Sequence, residues 1–226
     1  MAAAVGGSQR RGLVIAVGVV GAVVNIGLSA LGWGGFARLV AHPARAAYVA
    51  LVVALTAVAL LSPVNFSSGE REDVENRRML VPSAVGTLVL AWVMPYMDRR
   101  DAWTIDGDAA RWLGIAVLAV GGVLRIWPMF VLGRRFSGLV AIQPGHELAT
   151  EGPYRWVRHP SYLGAMLALF GSALVFRSGV GVVAAVLGFP LLFDRIDAEE
   201  RLLATRFGAA YDEYRRRTWR LVPGIY

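Results

Sequence analysis

The sequence has no cysteine, no lysine and few charged residues, and each absence limits what the protein can be. Of its 226 residues only 17% are charged and 56% are hydrophobic, and the mean hydropathy is +0.53. Soluble domains average about 25% charged and about 45–50% apolar residues, so the composition indicates a membrane protein. Without cysteine, disulfide bonds and thiolate metal sites are excluded, and we expect no metal centre.

All 23 basic residues are arginine, and the net charge is +7. Together with abundant alanine, valine and glycine, this pattern suggests a GC-rich bacterial genome. A positive charge can indicate a nucleic-acid partner, but the arginines stand beside apolar segments and form no long basic tract. They suit anionic lipid headgroups better. The expected partners are therefore membrane lipids, with no nucleic acid.

Six apolar segments are candidates for membrane-spanning helices, since a span needs about 20 apolar residues. The first three segments are long and uncharged, and the fourth carries only one charge, Arg125. The last two segments are short and are separated by Arg177. The six segments are residues 12–37, 46–69, 79–97, 112–133, 160–176 and 178–193. The short pair predicts a helical hairpin with a tight turn at Arg177-Ser178-Gly179. We predict an all-α integral membrane protein with about six transmembrane helices. Five is the alternative, if the last hairpin enters the membrane as one broken element.

The arginine distribution predicts the orientation of these spans, because cytoplasmic loops are enriched in basic residues. The segments on the same side of the membrane as the N-terminus hold 16 arginines, and the segments on the other side hold six. Around the first four spans alone, the numbers of arginines on the two sides are nearly equal. We therefore expect an inner (plasma) membrane protein with both termini cytoplasmic. The first apolar run follows Arg10-Arg11 as in a signal peptide, but it is too long for one. It predicts a retained first helix.

The polar residues that need an explanation begin after the fourth span. Residues 143–148 and 151–164 contain two Gly/Pro turns, which prevent one long helix. Pro160 suits the first turn of the next helix, which places Arg158 and His159 at the membrane surface, where the free N–H groups of the helix can bind an anion. Gly164 leaves room for a ligand to approach. The simpler alternative is an interfacial loop with aromatic and arginine anchors.

A second polar group follows the last apolar run. Arg195 and Glu199 are four residues apart, so they share one face of a helix. The alternative is an ordinary surface ion pair of small energetic value. Farther on, aromatic residues at 207, 211 and 214 repeat at helical spacing opposite a basic face. That pattern predicts a helix lying on an anionic membrane surface, or one that closes over a cofactor.

Arg125 is the one formal charge deep inside a predicted span. Ionisable residues within a membrane are costly and usually functional. Arg125 is therefore a candidate for binding a lipid headgroup or an acidic substrate. The structural alternative is a hydrogen bond to the carbonyl that Pro128 leaves free, and the sequence does not decide between them.

These motifs together resemble the isoprenylcysteine carboxyl methyltransferase family and its broader relatives among phospholipid and thiol methyltransferases. The matching pattern is His146-Glu147-Leu148, Gly152-Pro153-Tyr154, Arg158 to Gly164, Arg195, Glu199-Glu200, Phe207-Gly208, Tyr211 and Tyr214. The preceding part of the chain resembles the family only in being membrane spans. We therefore divide the chain into N-terminal transmembrane helices, residues 1–111, and a methyltransferase core, residues 112–226.

The resemblance implies a cofactor, S-adenosylmethionine, and the residues that bind it. These are Gln143, His146, Leu148, Tyr154, His159, Pro160 and Tyr162, with Glu199 reaching the amino-acid part of the cofactor. Arg195 is implied to face the methyl acceptor and to pair with its carboxylate, so Arg195 and Glu199 are the expected catalytic pair, with Arg125 a further candidate for binding the acceptor. The implied reaction is methylation of a lipophilic acceptor at the cytoplasmic boundary, as in isoprenylcysteine carboxyl O-methylation. A carboxylate needs no general base, whereas a thiol or amine would use Glu199, Glu200 or His159.

Two other functions are consistent with the sequence. An NADPH-dependent membrane reductase of the sterol-reductase type shares an Arg-His-Pro-like stretch with this family, but such proteins are usually longer. A non-enzymatic lipid-binding protein or transporter subunit would tolerate alanine at the motif residues. The internal repeats typical of transporters are missing. The sequence leaves the chemical identity of the acceptor and the oligomeric state open.

Overall fold

The computed structural model describes residues 2–62, 71–72, 80–133, 141–142 and 148–226. Most of these residues are helical, as predicted. The helices are α1 Ala2–Trp33, α2 Phe36–Val40, α3 Pro43–Leu61, α4 Leu80–Arg99, α5 Asp108–Leu132, α6 Pro160–Val175, α7 Gly179–Leu187, α8 Phe189–Phe207 and α9 Ala209–Arg217, with one 3₁₀ turn at Gly152–Arg155. Two short strands, β1 Arg71–Glu72 and β2 Ala141–Ile142, form an antiparallel pair that the sequence did not predict.

Several helices have the length and composition of membrane spans. Within the described residues, four stretches are apolar enough over sufficient length, namely Ile15–Trp33, Pro43–Leu61, Asp108–Leu132 and Gly179–Phe207; Pro160–Val175 is a shorter apolar helix. Large apolar side chains such as Leu31, Leu61 and Val81 are exposed on the outside of the bundle. Because a soluble protein rarely exposes so much contiguous apolar surface, this surface suits contact with lipid.

Helices α5 and α6 form the most extensive contact among the described helices, and four glycines make it possible. A Cβ atom placed on Gly121 would lie 2.5 Å from the backbone nitrogen of Ala168, and one on Gly164 would lie 2.4 Å from that of Arg125. Gly114 and Gly171 repeat this contact one heptad away. Small residues allow such close approach of helices in lipid. The space at Gly164, which the sequence analysis left for a ligand, is filled by the backbone of α5.

The predicted turn between the last two apolar segments is confirmed. Arg177 adopts a positive φ of 45°, and the Ser178 hydroxyl accepts a hydrogen bond from Gly181 N at 3.1 Å, which caps the start of α7. Beyond Gly188 the chain continues as α8, which runs well past the predicted end of the apolar segment at residue 193. Pro190 is tolerated because it lies in the first turn of α8. The end of the last predicted span and the second polar group thus lie on the same helix, α8.

A buried ion-pair cluster ties the helices together at one end of the bundle. The guanidinium of Arg111 donates to both carboxylate oxygens of Asp98, at 2.6 and 2.9 Å, and to the carbonyl of Val175 at 2.7 Å. Arg177 donates to the same carboxylate at 2.9 Å. Arg125 follows Arg111 by fourteen residues on α5, which places it roughly 21 Å farther along the helix. The polar residues of the candidate site lie toward this opposite end of the bundle, on the Arg125 side.

Candidate active site

The site is built where α6 and α8 meet the C-terminal segment that follows α9. As predicted, α6 begins at Pro160, which is fully buried. The loop before it runs beside the C-terminal segment: the amide of Arg158 donates to the Trp219 carbonyl at 2.8 Å, and the amide of Trp219 donates to the Trp156 carbonyl at 2.9 Å. The two segments therefore hold the start of α6 in a defined position.

Four of the residues singled out from the sequence come together between α6 and α8. The His159 ring is only 3% exposed and lies 5.7 Å from the Tyr162 ring, centroid to centroid. The guanidinium of Arg195 lies 5.7 Å from the Tyr162 ring, within the range of a cation–π interaction. Both Arg195 and Glu199 interact with the Tyr162 hydroxyl, and Glu199 Oε1 lies 4.0 Å from His159 Nδ1. The predicted shared face of Arg195 and Glu199 is thus directed at α6.

Tyr154 joins this group from the 3₁₀ turn. Its carbonyl accepts a hydrogen bond from the Tyr214 hydroxyl at 2.8 Å. Burial raises the pKa of Tyr154 well above its ordinary value, and the negative charge of Glu199 acts in the same direction. The phenol therefore stays neutral and keeps a proton to donate. Of the other predicted cofactor residues, Leu148 is half-buried, and Gln143 and His146 lie outside the described residues.

Arg125 is half-buried on α5 and bonds across to α6. Its guanidinium donates to the Ser161 hydroxyl at 2.7 Å and lies 3.5 Å from the Ser161 carbonyl. Its hydrogen-bond partner is therefore Ser161 rather than the carbonyl released by Pro128. Ser161 precedes Tyr162 in α6, and the charges of Arg125 and Arg195 are close enough to act on each other. Two cationic groups thus face the region around Tyr162.

The structure adds residues that the sequence analysis missed or placed differently. Glu200, which had been only one of three candidate bases, is 8% exposed and contacts Arg158, His159 and Arg220. The aromatic face of α9 was predicted to lie on the membrane or to close over a cofactor; Tyr211 and Tyr214 are buried in the protein, so they do not face the membrane. The Tyr214 bond to the Tyr154 carbonyl explains this, since it draws the face inward. The spacing of the aromatic residues predicted the face but not what covers it.

The described residues suit S-adenosylmethionine, which combines an ammonium group, a carboxylate, a sulfonium and a purine. Glu199 offers a carboxylate whose side chain is 35% exposed beside the His159 ring, and Tyr154 and Tyr162 offer aromatic surface. The buried hydroxyl of Tyr211 makes no hydrogen bond within the described part of the chain. The charges of Glu199 and Glu200 both act on it. Glu199, Tyr154 and Tyr162 are thus the described residues whose chemistry fits this cofactor.

Comparisons with known proteins identify related methyltransferases. The model of the isoprenylcysteine carboxyl methyltransferase (ICMT) family matches residues 112–205. Protein-S-isoprenylcysteine O-methyltransferase B of Arabidopsis thaliana is 34% identical over 139 residues, which are 60% of this chain and 68% of that protein. The Mus musculus protein-S-isoprenylcysteine O-methyltransferase is 34% identical over 115 residues, covering 50% of this chain and 41% of that protein, and that of Dictyostelium discoideum is 28% identical over 118 residues, covering 51% and 50%.

The fold comparison covers more of the chain than the sequence comparisons do. A solved structure of the eukaryotic intramembrane Ras methyltransferase ICMT superposes with a TM-score of 0.54 and 23% identity, over 88% of this chain and 74% of that one. At that identity the likeness concerns the fold alone, including the N-terminal helices beyond the family match. The chain belongs to the isoprenylcysteine carboxyl methyltransferase family, a family of methyltransferases that use S-adenosylmethionine as the methyl donor.

Proposed function

We propose that this protein transfers a methyl group from S-adenosylmethionine to the carboxylate of a lipophilic acceptor of the isoprenylcysteine type, at the cytoplasmic boundary of the inner membrane. The observation that carries the proposal is the meeting of Arg195 and Glu199, on α8, with His159 and Tyr162, on α6. This arrangement combines an anionic position for the cofactor and a cationic position for the acceptor around one tyrosine.

On the cofactor side, Glu199 binds the amino-acid part, and the Tyr154 and Tyr162 rings, His159, Pro160 and Leu148 line the rest, with Gln143 and His146. When bound, S-adenosylmethionine supplies an activated methyl group on a cationic sulfonium. The protein's contribution is alignment, because holding reacting groups about 3–3.5 Å apart can supply most of the acceleration. The negative charge of the Glu199 carboxylate compensates the positive charges of the ligand and of Arg195.

On the acceptor side, Arg195 and Arg125 bind and orient the carboxylate. Guanidinium groups pair with carboxylates strongly and directionally. In the reaction a bond forms between the acceptor oxygen and the methyl carbon, and the bond between that carbon and sulfur breaks. The negative charge of the acceptor and the positive charge of the sulfonium cancel, so no proton moves and no base is needed. Arg125 lies within a membrane-length helix, which suits an acceptor whose apolar part remains in the bilayer.

The proposal includes six spans with both termini cytoplasmic. The six predicted apolar segments coincide with α1, α3, α4, α5, α6 and the α7–α8 pair over their described residues. The β1–β2 pair joins the segment after α3 to the segment after α5. If the chain crosses the membrane six times, both of these segments lie on the same side of the membrane as the active site. At the other end, Arg111 and Arg177 both pair with Asp98, and Arg177 also pairs with Asp101. The arginine count favours the same orientation, with 16 on the proposed cytoplasmic side and six on the other.

Binding of S-adenosylhomocysteine to detergent-purified protein, measured by calorimetry with NADPH in parallel, tests the cofactor. We expect the first ligand to bind and the second not to bind. Binding of NADPH alone would favour the reductase, and binding of neither ligand would favour a non-enzymatic lipid-binding protein.

The acceptor is tested with a prenylcysteine analogue and a methyl-labelled cofactor. A carboxyl methyl ester releases labelled methanol in alkali, whereas a methylated thiol or amine retains its label. We expect alkali-labile product from the free acid and none from the analogue with a blocked carboxyl group. Alkali-stable product would contradict carboxyl methylation.

A further inference from the structure

Glu200 lies beside the proposed cofactor site but points away from it, into a cluster of donors. Its Oε1 atom is 2.9 Å from Arg158 Nε and 3.2 Å from His159 Nε2, and its Oε2 atom is 3.4 Å from an Arg220 terminal nitrogen. These partners belong to the loop before α6 and to the C-terminal segment. The carboxylate therefore connects α8 to both segments that hold the start of α6.

We propose that Glu200 is a positioning residue that sets the tautomer and orientation of the His159 ring for cofactor binding. This inference rests on the proposed S-adenosylmethionine site. An ionised carboxylate can only accept hydrogen bonds, so His159 Nε2 carries the proton that faces Glu200. In the neutral ring the other nitrogen, Nδ1, is then an acceptor.

That acceptor is directed toward the proposed site. His159 Nδ1 lies 4.0 Å from Glu199 Oε1, on the side of the ring opposite the Glu200 contact. Glu199 Oε1 and His159 Nδ1 are thus two neighbouring hydrogen-bond acceptors. A pair of acceptors this close suits a cationic donor such as the ammonium of an amino-acid group. With the other tautomer, Nδ1 would carry a hydrogen and one acceptor would be lost.

The two adjacent glutamates have different surroundings, which separates their roles. Consecutive residues of a helix point about 100° apart, and the Glu199 side chain is 35% exposed whereas that of Glu200 is 9% exposed. Arg158 also donates to the Thr218 and Arg215 carbonyls, so the guanidinium that shares Glu200 Oε1 is itself held. A carboxylate held on this many sides gives His159 little freedom to rotate.

Three variants separate this role from a merely structural one. Glu200→Ala removes the acceptor, and Glu200→Gln keeps the shape but leaves one oxygen to serve three donors. Glu213→Gln is the matched control, since Glu213 forms an exposed ion pair with Arg216, and such pairs contribute little. The readouts are calorimetric affinity for S-adenosylhomocysteine and ¹⁵N-histidine NMR of the ligand-free protein. The chain has three histidines, and a His159→Gln variant assigns the signal.

We expect Glu200→Ala to weaken S-adenosylhomocysteine binding by about tenfold or more, the size of effect seen when a metal-binding histidine loses its orienting partner. The His159 signal should change from a single Nε2–H tautomer to a mixture. Glu200→Gln should change the affinity and the tautomer ratio in the same direction but less strongly. Glu213→Gln should change neither the affinity nor the tautomer ratio.

Wild-type affinity and an unchanged tautomer in folded Glu200→Ala or Glu200→Gln protein would overturn the inference and leave the proposed function intact. If the wild-type protein does not bind S-adenosylhomocysteine, the proposed function fails. The tautomer of the ligand-free protein still tests the effect of Glu200 on His159 in that case.

Discussion

At the residue scale, one face of α8 carries the two groups with opposite tasks. Arg195 and Glu199 both interact with the Tyr162 hydroxyl, yet one is cationic and the other anionic. Because the cofactor brings an ammonium and the acceptor a carboxylate, each residue should affect one ligand more than the other. Their separate contributions can be measured by replacing them singly.

We predict that Glu199→Ala abolishes detectable S-adenosylhomocysteine binding, because it removes the anionic partner of the cofactor's amino-acid part. Arg195→Ala should spare that binding but abolish turnover, because the acceptor loses its orienting charge. Calorimetry and methyl-transfer assays measure the two effects separately. Arg206→Ala, which changes an exposed residue on the same helix, is the control. Wild-type binding and turnover in both site variants would show that the site is assigned wrongly.

Residue patterns predicted part of this site. The spacing of Arg195 and Glu199 predicted their shared face, and Pro160 predicted where α6 begins. The contacts of Glu200 were not predictable, since His159 and Arg220 approach it only after α6, α8 and the C-terminal segment have packed. The same holds for the partner of Arg125, which is 36 residues away in sequence.

At the element scale, the α5–α6 contact sets the geometry of the acceptor side. Arg125 and Ser161 can bond because the glycines let the two helix backbones approach. A methyl group between them would separate the helices, and a densely packed interior resists this. The positions of these glycines are therefore expected to matter for activity as well as for stability.

We predict that Gly121→Ala lowers stability by about 1–3 kcal/mol, the usual cost of overpacking, even though alanine is the better helix former. Acceptor affinity should fall as well, because Arg125 is displaced from α6. The control is Gly21→Ala on α1, where an added Cβ meets nothing within 4 Å. Thermal unfolding in detergent and the KM for the acceptor are the measurements. Equal stability of the two variants would contradict the close helix contact.

At the scale of the whole molecule, the bundle has two chemically different ends. One end is closed by buried ion pairs centred on Asp98, whose side chain is fully buried. The other carries the candidate active site, with Arg215, Arg216 and Arg217 exposed nearby on α9. In the proposed orientation, the site and these exposed basic residues face the cytoplasm.

The absence of cysteine allows a direct test of that orientation, since any introduced thiol is the only one in the chain. Thr150→Cys and Ala210→Cys change exposed residues on the proposed cytoplasmic side, and Asp106→Cys changes one on the opposite side. In intact cells, a membrane-impermeant maleimide should label only the Asp106→Cys variant. All three should be labelled after the membrane is permeabilised. Labelling of Thr150→Cys in intact cells would reverse the proposed topology.

The membrane class, the approximate helix positions and the turn at Arg177 to Gly179 could be predicted from local residue patterns. Apolar runs form lipid-facing helices, and proline and glycine mark where those helices begin and end. In contrast, the packed structure was needed to show that α5 fills the space at Gly164, that Tyr211 faces inward, and that Glu200 holds His159. These contacts join residues that are distant in the chain, so they depend on how the helices pack, which no local pattern of residues specifies.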